Sequence, residues 1–143
     1  MINSRRSNSI MTKDIRWLQR LQNFERAFAL LDRTILIKEP SEAERGGLIQ
    51  FYEMAFELAW KTMKDFLEEQ GYEIKSPRQA IKQAYQSELI TNGHVWIEAL
   101  SDRNLTTHIY DENKAQAIEQ SIRTIYHPMI TQLITDLRLE SQK

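Results

Sequence analysis

The fold follows from one stretch of the sequence, residues 41–71, which reads SEAERGGLIQFYEMAFELAWKTMKDFLEEQG. Ser41 and Glu44 form the S-x-x-E pattern of a capping box, which marks the start of a helix. Gly71 supplies the residue without Cβ that a left-handed helix end favours. The stretch therefore predicts a single long helix over residues 41–70.

This predicted helix carries two apolar lines. The main line recurs at helical spacing and consists of Leu48, Tyr52, Ala55, Ala59, Met63 and Phe66. The second line lies beside it and consists of Phe51, Met54 and Leu58. Two apolar lines predict two packed faces, and a second copy of the chain is the expected cover for the outer one. Gly46 and Gly47 cost about 1 kcal/mol each relative to alanine, so the helix is expected to fray in its first turn or to begin after them.

The segment before this helix predicts another one, which begins near Asp14. Its buried stripe has spacings of three and four residues and consists of Trp17, Leu21, Phe24, Phe28, Leu31 and Ile35. Pro40 separates the two helices, because a proline pushes the residue before it away from helical dihedral angles. Residues 1–12 are polar and aperiodic, and we expect them to form a flexible leader. The domain is therefore predicted to span residues 13–143.

Three further helices are predicted after Gly71. The third begins at Ser76-Pro77, with Gln79 completing a second capping box, ends near Leu89 and has an apolar face of Ala80, Ile81, Ala84 and Tyr85. The fourth follows a turn at Thr91-Asn92-Gly93 and places on one line Trp96, Leu100, Arg103 and Thr107. The last runs from about Asp111 into the 130s, with Pro128 expected to kink it and with Ala115, Ile118, Ile122, Ile125 and Met129 directed inward.

These elements predict an all-α fold. The chain has 143 residues, 4 Gly and 3 Pro, so it is long enough for one domain with a hydrophobic core but poor in turn residues. Short connections force neighbouring helices to run antiparallel. We therefore expect an up-and-down antiparallel four-helix bundle with an extra short helix, assembled as a homodimer.

The composition excludes several classes of function. There is no cysteine, so disulfide bonds, thiolate metal sites and cysteine nucleophiles are absent. No stretch of the sequence is apolar enough to span a membrane, and we expect a soluble, cytoplasmic protein with no membrane partner. The formal net charge of −1 gives no overall attraction to nucleic acids. The three histidines have no metal-ligand spacing, and no phosphate-binding loop or Asp-x-Asp pair is present, so neither a metal site nor a cofactor is expected.

The segment most suggestive of chemistry is residues 101–112, SDRNLTTHIYDE, which places polar side chains at the end of an amphipathic helix. Arg103 continues an apolar line, where a guanidinium is costly unless an anion meets it. His108 lies about 140° further around an ideal helix, so the two side chains could converge over a groove or across a dimer axis. An imidazole that moves protons and a guanidinium that stabilises a pentacovalent phosphate suit RNA cleavage without a metal.

Spacing alone leaves a simpler interpretation open and favours it. Arg103 could pair with Glu98, with Asp102 or with a neighbouring helix, while His108 caps the C-terminus of its own helix. Tyr110 should lie near the same site, accessible to a modifying enzyme.

Weaker candidates lie elsewhere on the chain. Glu57 and Lys61 are four residues apart, which is typical of a salt bridge on a helix surface. Two tryptophans, Trp60 and Trp96, are expected to anchor the core or an interface. A basic patch for phosphates is also possible, although a solvated face is the simpler interpretation, and it would consist of Lys61, Lys64, Arg78 and Lys82.

The sequence resembles the nucleotidyltransferase substrate-binding proteins, small all-helical members of the HEPN superfamily. The resemblance covers nearly the whole domain, and the motifs that carry it are RWLQR at 16–20, FELAWK at 56–61, SPR at 76–78 and DRNLTTHIYDE at 102–112. The hallmark R-x4-H-x-Y of that family is matched by Arg103, His108 and Tyr110, with Asn104 directly after the arginine.

The resemblance implies a homodimeric ribonuclease toxin encoded beside a minimal nucleotidyltransferase antitoxin. By that analogy Arg103 and His108 of both subunits line a cleft that cuts RNA, with transfer RNA a candidate substrate, and the antitoxin attaches adenylate to Tyr110. Supporting roles at the site fall to Asn104, Asp102 and Thr107. Two alternatives remain: a non-catalytic substrate-binding subunit of a two-component nucleotidyltransferase, and a purely structural dimeric scaffold.

Overall fold

The computed structural model describes the backbone of residues 4–106 and 111–143, and the side chains of residues 16–103 and 111–143. Six α-helices and one π-helical turn make up this part of the chain, which contains no strand. They are α1 (Ser4–Thr34), α2 (Glu42–Glu69), α3 (Pro77–Gln86), α4 (Gly93–Thr106), α5 (Glu112–Ser121), the π-helical turn (Ile122–Tyr126) and α6 (His127–Ser141). The predicted all-α class is confirmed.

Helix α2 lies at the centre of the bundle and contacts each of the other five helices. Trp17 of α1 meets Phe66 of α2 with ring centroids 5.1 Å apart, and Arg20, further along α1, pairs with the earlier Asp65 at 2.9 Å, so these two helices are antiparallel. Helix α4 is also antiparallel to α2. Tyr52 contacts Ala99, whereas Phe56, further along α2, contacts Trp96, which comes earlier in α4. The main apolar line of α2 is buried throughout, as predicted.

The two ends of α2 show why it forms as one unit. Ser41 Oγ accepts from the Glu44 N–H at 3.1 Å, and the Glu44 carboxylate accepts from the Ser41 N–H at 2.9 Å, which is the predicted capping box. At the other end Gly71 has a φ of 100°, as its lack of Cβ allows. The expectation that Gly46 and Gly47 fray or delay the helix is wrong, because the capping box fixes the first turn ahead of them.

Helix α1 begins at Ser4, well before Asp14. The sequence from residue 1 to residue 34 contains neither glycine nor proline, so nothing stops the helix from extending toward the N-terminus once it has formed. Helical backbone therefore reaches into the segment that we expected to be a flexible leader. The boundary of the domain at residue 13 stays a prediction.

Helix α3 differs from its prediction in three details. It ends at Gln86 rather than near Leu89, because Glu88 adopts a left-handed φ of 62°. The Gln79 side chain accepts from the Lys75 N–H at 2.7 Å, so the reciprocal half of the predicted capping box is displaced by one residue. Tyr85 is 55% exposed and does not contribute to the buried face.

Pro128 follows a π-helical turn. It cannot donate a backbone hydrogen bond, and directly before it the His127 N–H reaches the carbonyl of Ile122. The kink expected at Pro128 stays a prediction. Tyr126 is buried, whereas Ile125, predicted to point inward, is 44% exposed.

Candidate functional site

The end of α4 changes from apolar to polar along one line of the helix. Trp96 and Leu100 are buried in the core, and Arg103 follows one turn later with 24% of its side chain exposed. The position is a boundary between core and solvent, where the stem of arginine can be covered while its guanidinium reaches a charged partner. Arg103 is thus placed as the helical spacing predicted.

The partner of Arg103 lies on the central helix. Its guanidinium Nη1 donates to Oε2 of Glu57, and the same carboxylate lies 3.6 Å from the ammonium of Lys61. Two cations therefore share one carboxylate on a partly exposed surface. The predicted Glu57–Lys61 pair is confirmed, and the pairing of Arg103 with a neighbouring helix follows the simpler interpretation. The sequence analysis did not connect Arg103 with Glu57, although both lie in motifs that carry the family resemblance.

Asp102 turns toward a different element from its neighbour Arg103. Its carboxylate accepts a hydrogen bond from the hydroxyl of Tyr126 in the π-helical turn. The ring of Tyr126 stacks on that of Tyr52, with centroids 5.4 Å apart and planes 17° apart. Tyr52 is fully buried, and its hydroxyl donates to the carbonyl of Ala99 at 3.1 Å. Tyr126 is a contact of the candidate site that sequence reasoning missed, because the inward stripe was placed on Ile125, although Tyr126, four residues after Ile122, fits helical spacing equally well.

Both phenol groups remain protonated donors. Burial raises the pKa of Tyr126, and the carboxylate of Asp102 raises it further. Burial likewise raises the pKa of Tyr52. The hydrogen bonds from these hydroxyls therefore persist across the physiological pH range.

Several predicted site residues lie outside the described part of the chain. The backbone of Asn104 belongs to α4, but its side chain is not among those described, and Thr107, His108 and Tyr110 lie in residues 107–110, which the structure does not describe. The expected convergence of Arg103 with His108 therefore stays a prediction. So do the roles of Asn104, Thr107 and Tyr110.

A second charged cluster lies along α5, and it also includes Arg45 of α2 and Arg123 of the π-helical turn. Arg45 donates to Glu112 and, through Nε, to Glu119 at 2.7 Å. Arg123 donates to the other oxygen of Glu119 at 2.7 Å. Although burial alone would raise the pKa of Glu119, the hydrogen bonds from both arginines lower it overall. No periodic pattern in the sequence signals this cluster, because its members come from distant segments.

Arg123 also binds the connection between α1 and α2. Its two terminal nitrogens donate to the carbonyls of Ile35 and Ile37, each at 2.6 Å. Within the described residues, no group of three or more His, Asp or Glu side chains could hold a metal ion. No helix in the described part of the chain is long and apolar enough to cross a membrane.

The fold and the charged cluster at the end of α4 together identify the class: a small all-α bundle protein with a polar site on its surface. Its family can be stated more closely. The chain belongs to the family described as "Nucleotidyltransferase substrate binding protein like", whose sequence profile matches residues 19–139. The family identified from the sequence motifs is thus confirmed.

A protein of Thermus thermophilus with a solved crystal structure is similar in both sequence and fold. The two are 32% identical and superpose with a TM-score of 0.75, over 80% of this chain and 98% of that one. No curated protein matches this chain.

Proposed function

We propose that this protein is a HEPN-type endoribonuclease toxin that needs no metal and that a cognate minimal nucleotidyltransferase neutralises. The observation that carries the proposal is the placement of Arg103 at the last turn of α4, with 24% of its side chain exposed and its guanidinium held by Glu57. His108 follows five residues later in the sequence. A fixed guanidinium is the group that stabilises negative charge developing on a phosphodiester.

The proposed reaction is transesterification within RNA. The ribose 2′-oxygen forms a bond to phosphorus while the bond from phosphorus to the 5′-oxygen breaks, leaving a 2′,3′-cyclic phosphate and a 5′-hydroxyl. One imidazole of His108 accepts the 2′-hydroxyl proton, and that of the second copy donates a proton to the leaving oxygen. Arg103 stabilises the pentacovalent phosphate, and Asn104, Asp102 and Thr107 support the site. Transfer RNA is a candidate substrate.

A homodimer supplies the second histidine. The outer apolar line of α2 supports this assembly, because Met54 is 41% exposed and its neighbours Phe51 and Leu58 are only partly buried. Sedimentation analysis of the purified protein should give a dimer, and a Met54→Lys variant should shift it toward the monomer.

The direct test of the activity is RNA cleavage by the purified protein in the presence of a chelator. The wild type should cleave total transfer RNA, and His108→Ala should abolish the cleavage. His94→Ala is the matched control, because His94 is an exposed histidine at the opposite end of α4. Absence of cleavage by the wild type, or equal loss in both variants, would contradict the ribonuclease proposal.

The second candidate is a non-catalytic subunit that holds the substrate of a nucleotidyltransferase. The ion pair between Arg103 and Glu57 favours it, since a guanidinium with a carboxylate partner is already neutralised before any RNA arrives. The description of the family points the same way. On this alternative, the wild type and His108→Ala both leave RNA intact, while Arg103→Ala weakens binding of the partner's substrate.

The partner is expected to transfer adenylate to the hydroxyl of Tyr110, with release of pyrophosphate from ATP. Co-expression with the neighbouring nucleotidyltransferase should add the mass of one AMP to the wild type and none to Tyr110→Phe. Tyr72→Phe and Tyr85→Phe are matched controls, because both tyrosines are exposed on the described surface. Modification that persists in Tyr110→Phe would contradict this role.

A further inference from the structure

The last turn of α4 is held from two directions by adjacent residues. Arg103 reaches Glu57 on α2, and Asp102 reaches Tyr126 in the π-helical turn. The final carbonyl groups of a helix have no partner within the helix, so its last turn opens easily unless side chains hold it. Any residue that fixes Asp102 therefore also fixes the backbone from which Arg103 extends.

Tyr126 is built to be a rigid donor. Its residue is 3% exposed, and its ring stacks on the fully buried Tyr52. Tyr52 in turn binds the carbonyl of Ala99, one turn before Asp102. The phenol thus has little freedom to move, and its hydroxyl marks a fixed point for the carboxylate of Asp102.

Tyr126 lies in the π-helical turn between α5 and α6, four residues after the buried Ile122. That spacing places it on the inward face, whereas Ile125 is 44% exposed. Single π-helical turns inside α-helices occur frequently at functional sites, and this one contacts α4 through the hydroxyl of Tyr126.

We infer that Tyr126 is a positioning residue for the proposed ribonuclease, acting through Asp102 to fix the turn that carries Arg103. The inference rests on the proposed function. Tyr126 touches no reacting atom; its hydroxyl sets where the guanidinium lies relative to the scissile phosphate. A displaced catalytic group lowers the rate even when the substrate still binds.

The test removes only the hydroxyl. Tyr126→Phe keeps the ring and its stacking on Tyr52, so the fold should persist. We expect kcat for RNA cleavage to fall about tenfold with KM little changed. Asp102→Asn should retain more activity than Tyr126→Phe, because its amide oxygen can still accept from the hydroxyl, and combining the two changes should lower kcat no further than Tyr126→Phe alone.

Tyr52→Phe is the matched control, because it removes a hydroxyl from the other ring of the stacked pair. It should lower kcat less than Tyr126→Phe does, because its hydroxyl binds the carbonyl of Ala99, one turn before Asp102, rather than Asp102 itself. If Tyr52→Phe lowers kcat as much as Tyr126→Phe, or if Tyr126→Phe leaves kcat unchanged, the positioning role of Tyr126 is overturned.

Hydrogen exchange gives a readout that does not depend on cleavage. Amides of residues 103–106 should exchange about tenfold faster in Tyr126→Phe, whereas those of residues 95–99 should not change. Unchanged exchange at residues 103–106 overturns the positioning role whatever the activity. Faster exchange in a protein whose wild type cuts no RNA contradicts the proposed function and leaves the tie between Tyr126 and α4 in place.

Discussion

Two clusters of arginine and glutamate lie on α2, and they differ in what surrounds them. In the loop cluster, Arg45 and Arg123 share Glu119, and these three side chains are at most 20% exposed, while Glu112 at the edge of the cluster is 40% exposed. In the site cluster, Arg103 and Lys61 share Glu57, and exposure rises to 39%. The same residue types therefore make a largely enclosed network at one place and an accessible surface at the other.

The difference lies in what each cluster holds together. Arg123 directs all of its described donors to Glu119 and to two loop carbonyls, which ties the connection between α1 and α2 to the π-helical turn. Arg103 binds a carboxylate that a second cation also attracts, and the carboxylate and that cation are both more than a third exposed. The enclosed network serves the fold, whereas the accessible one is the place where we propose that an anion binds.

The largest expected effect comes from replacing one arginine of each cluster, Arg103 or Arg123, with alanine. Arg103→Ala should lower RNA cleavage by roughly 100-fold or more while the free energy of unfolding changes by less than about 1 kcal/mol, because the pair with Glu57 is partly exposed. Arg123→Ala should do the reverse, with a clear loss of stability and unchanged cleavage per folded molecule. Urea unfolding and cleavage rates on the same preparations measure both. Equal effects of the two changes on both quantities would erase the distinction between the clusters.

Glu119→Gln tests the loop cluster directly. Removing its charge leaves Arg45 and Arg123 without their shared counter-ion, and we expect a loss of about 2 kcal/mol, below the range for fully buried pairs because some solvent reaches the cluster. Glu25→Gln is the control, since Glu25 pairs with the mostly exposed Arg138 and should change stability by less than about 0.5 kcal/mol. A smaller loss in Glu119→Gln than in the control would show that the network contributes little.

The same cluster predicts a pH dependence of stability. The pKa of Glu119 is lowered in the folded protein from its ordinary value of 4.5, so the unfolded chain binds the proton more readily. The stabilisation is therefore complete above pH 4.5 and is lost as the pH falls through the lowered pKa. Unfolding of the wild type and Glu119→Gln should be compared between neutral pH and acid, and their stabilities should converge at low pH. A constant difference at every pH would contradict the ion-pair explanation.

Two glycine substitutions change the stability of the fold through the backbone alone, without altering any charge. Gly71→Ala should cost about 1 kcal/mol, because a φ of 100° is strained for any residue with a Cβ. Gly46→Ala should stabilise by about 0.5 to 1 kcal/mol, since it lies inside α2 and an added Cβ would meet no atom within 4 Å. Neither change should alter cleavage per folded molecule. A change in cleavage per folded molecule would mean that features outside the site cluster also set the activity.

The smallest expected effect concerns the carboxylate that Arg103 already holds. Glu57→Gln removes the charge that competes with a phosphate, so the affinity for RNA at low salt should rise about threefold. Glu53→Gln is a control on the same helix, one turn away. Weaker RNA binding in Glu57→Gln would show that the carboxylate orients Arg103 rather than competing with the substrate.

The sequence predicted most of the fold because local signals carried it. The capping box at Ser41 and the left-handed end at Gly71 both occur as their residue types indicate, and the main apolar lines of α1 and α2 are buried, apart from Ile35, which lies past the end of α1 and is half-buried. It failed at Ile125 because the positions three and four residues after Ile122 both fit helical spacing, and the packing buries Tyr126 instead. Of the candidate site, it predicted the place of Arg103 on α4 but not the contacts with Glu57 and Tyr126.

The sequence by itself determined the helices, the two ends of α2 and the family, because spacing, capping residues and motifs are properties of neighbouring positions. Only the tertiary structure decided which charges meet. Glu57 reaches Arg103 across 46 positions of the chain, and Arg45 reaches Glu119 across 74, and no local pattern encodes such distances. These contacts depend on how the helices pack. Packing places Arg123 in a largely enclosed network and Arg103 in a more accessible one.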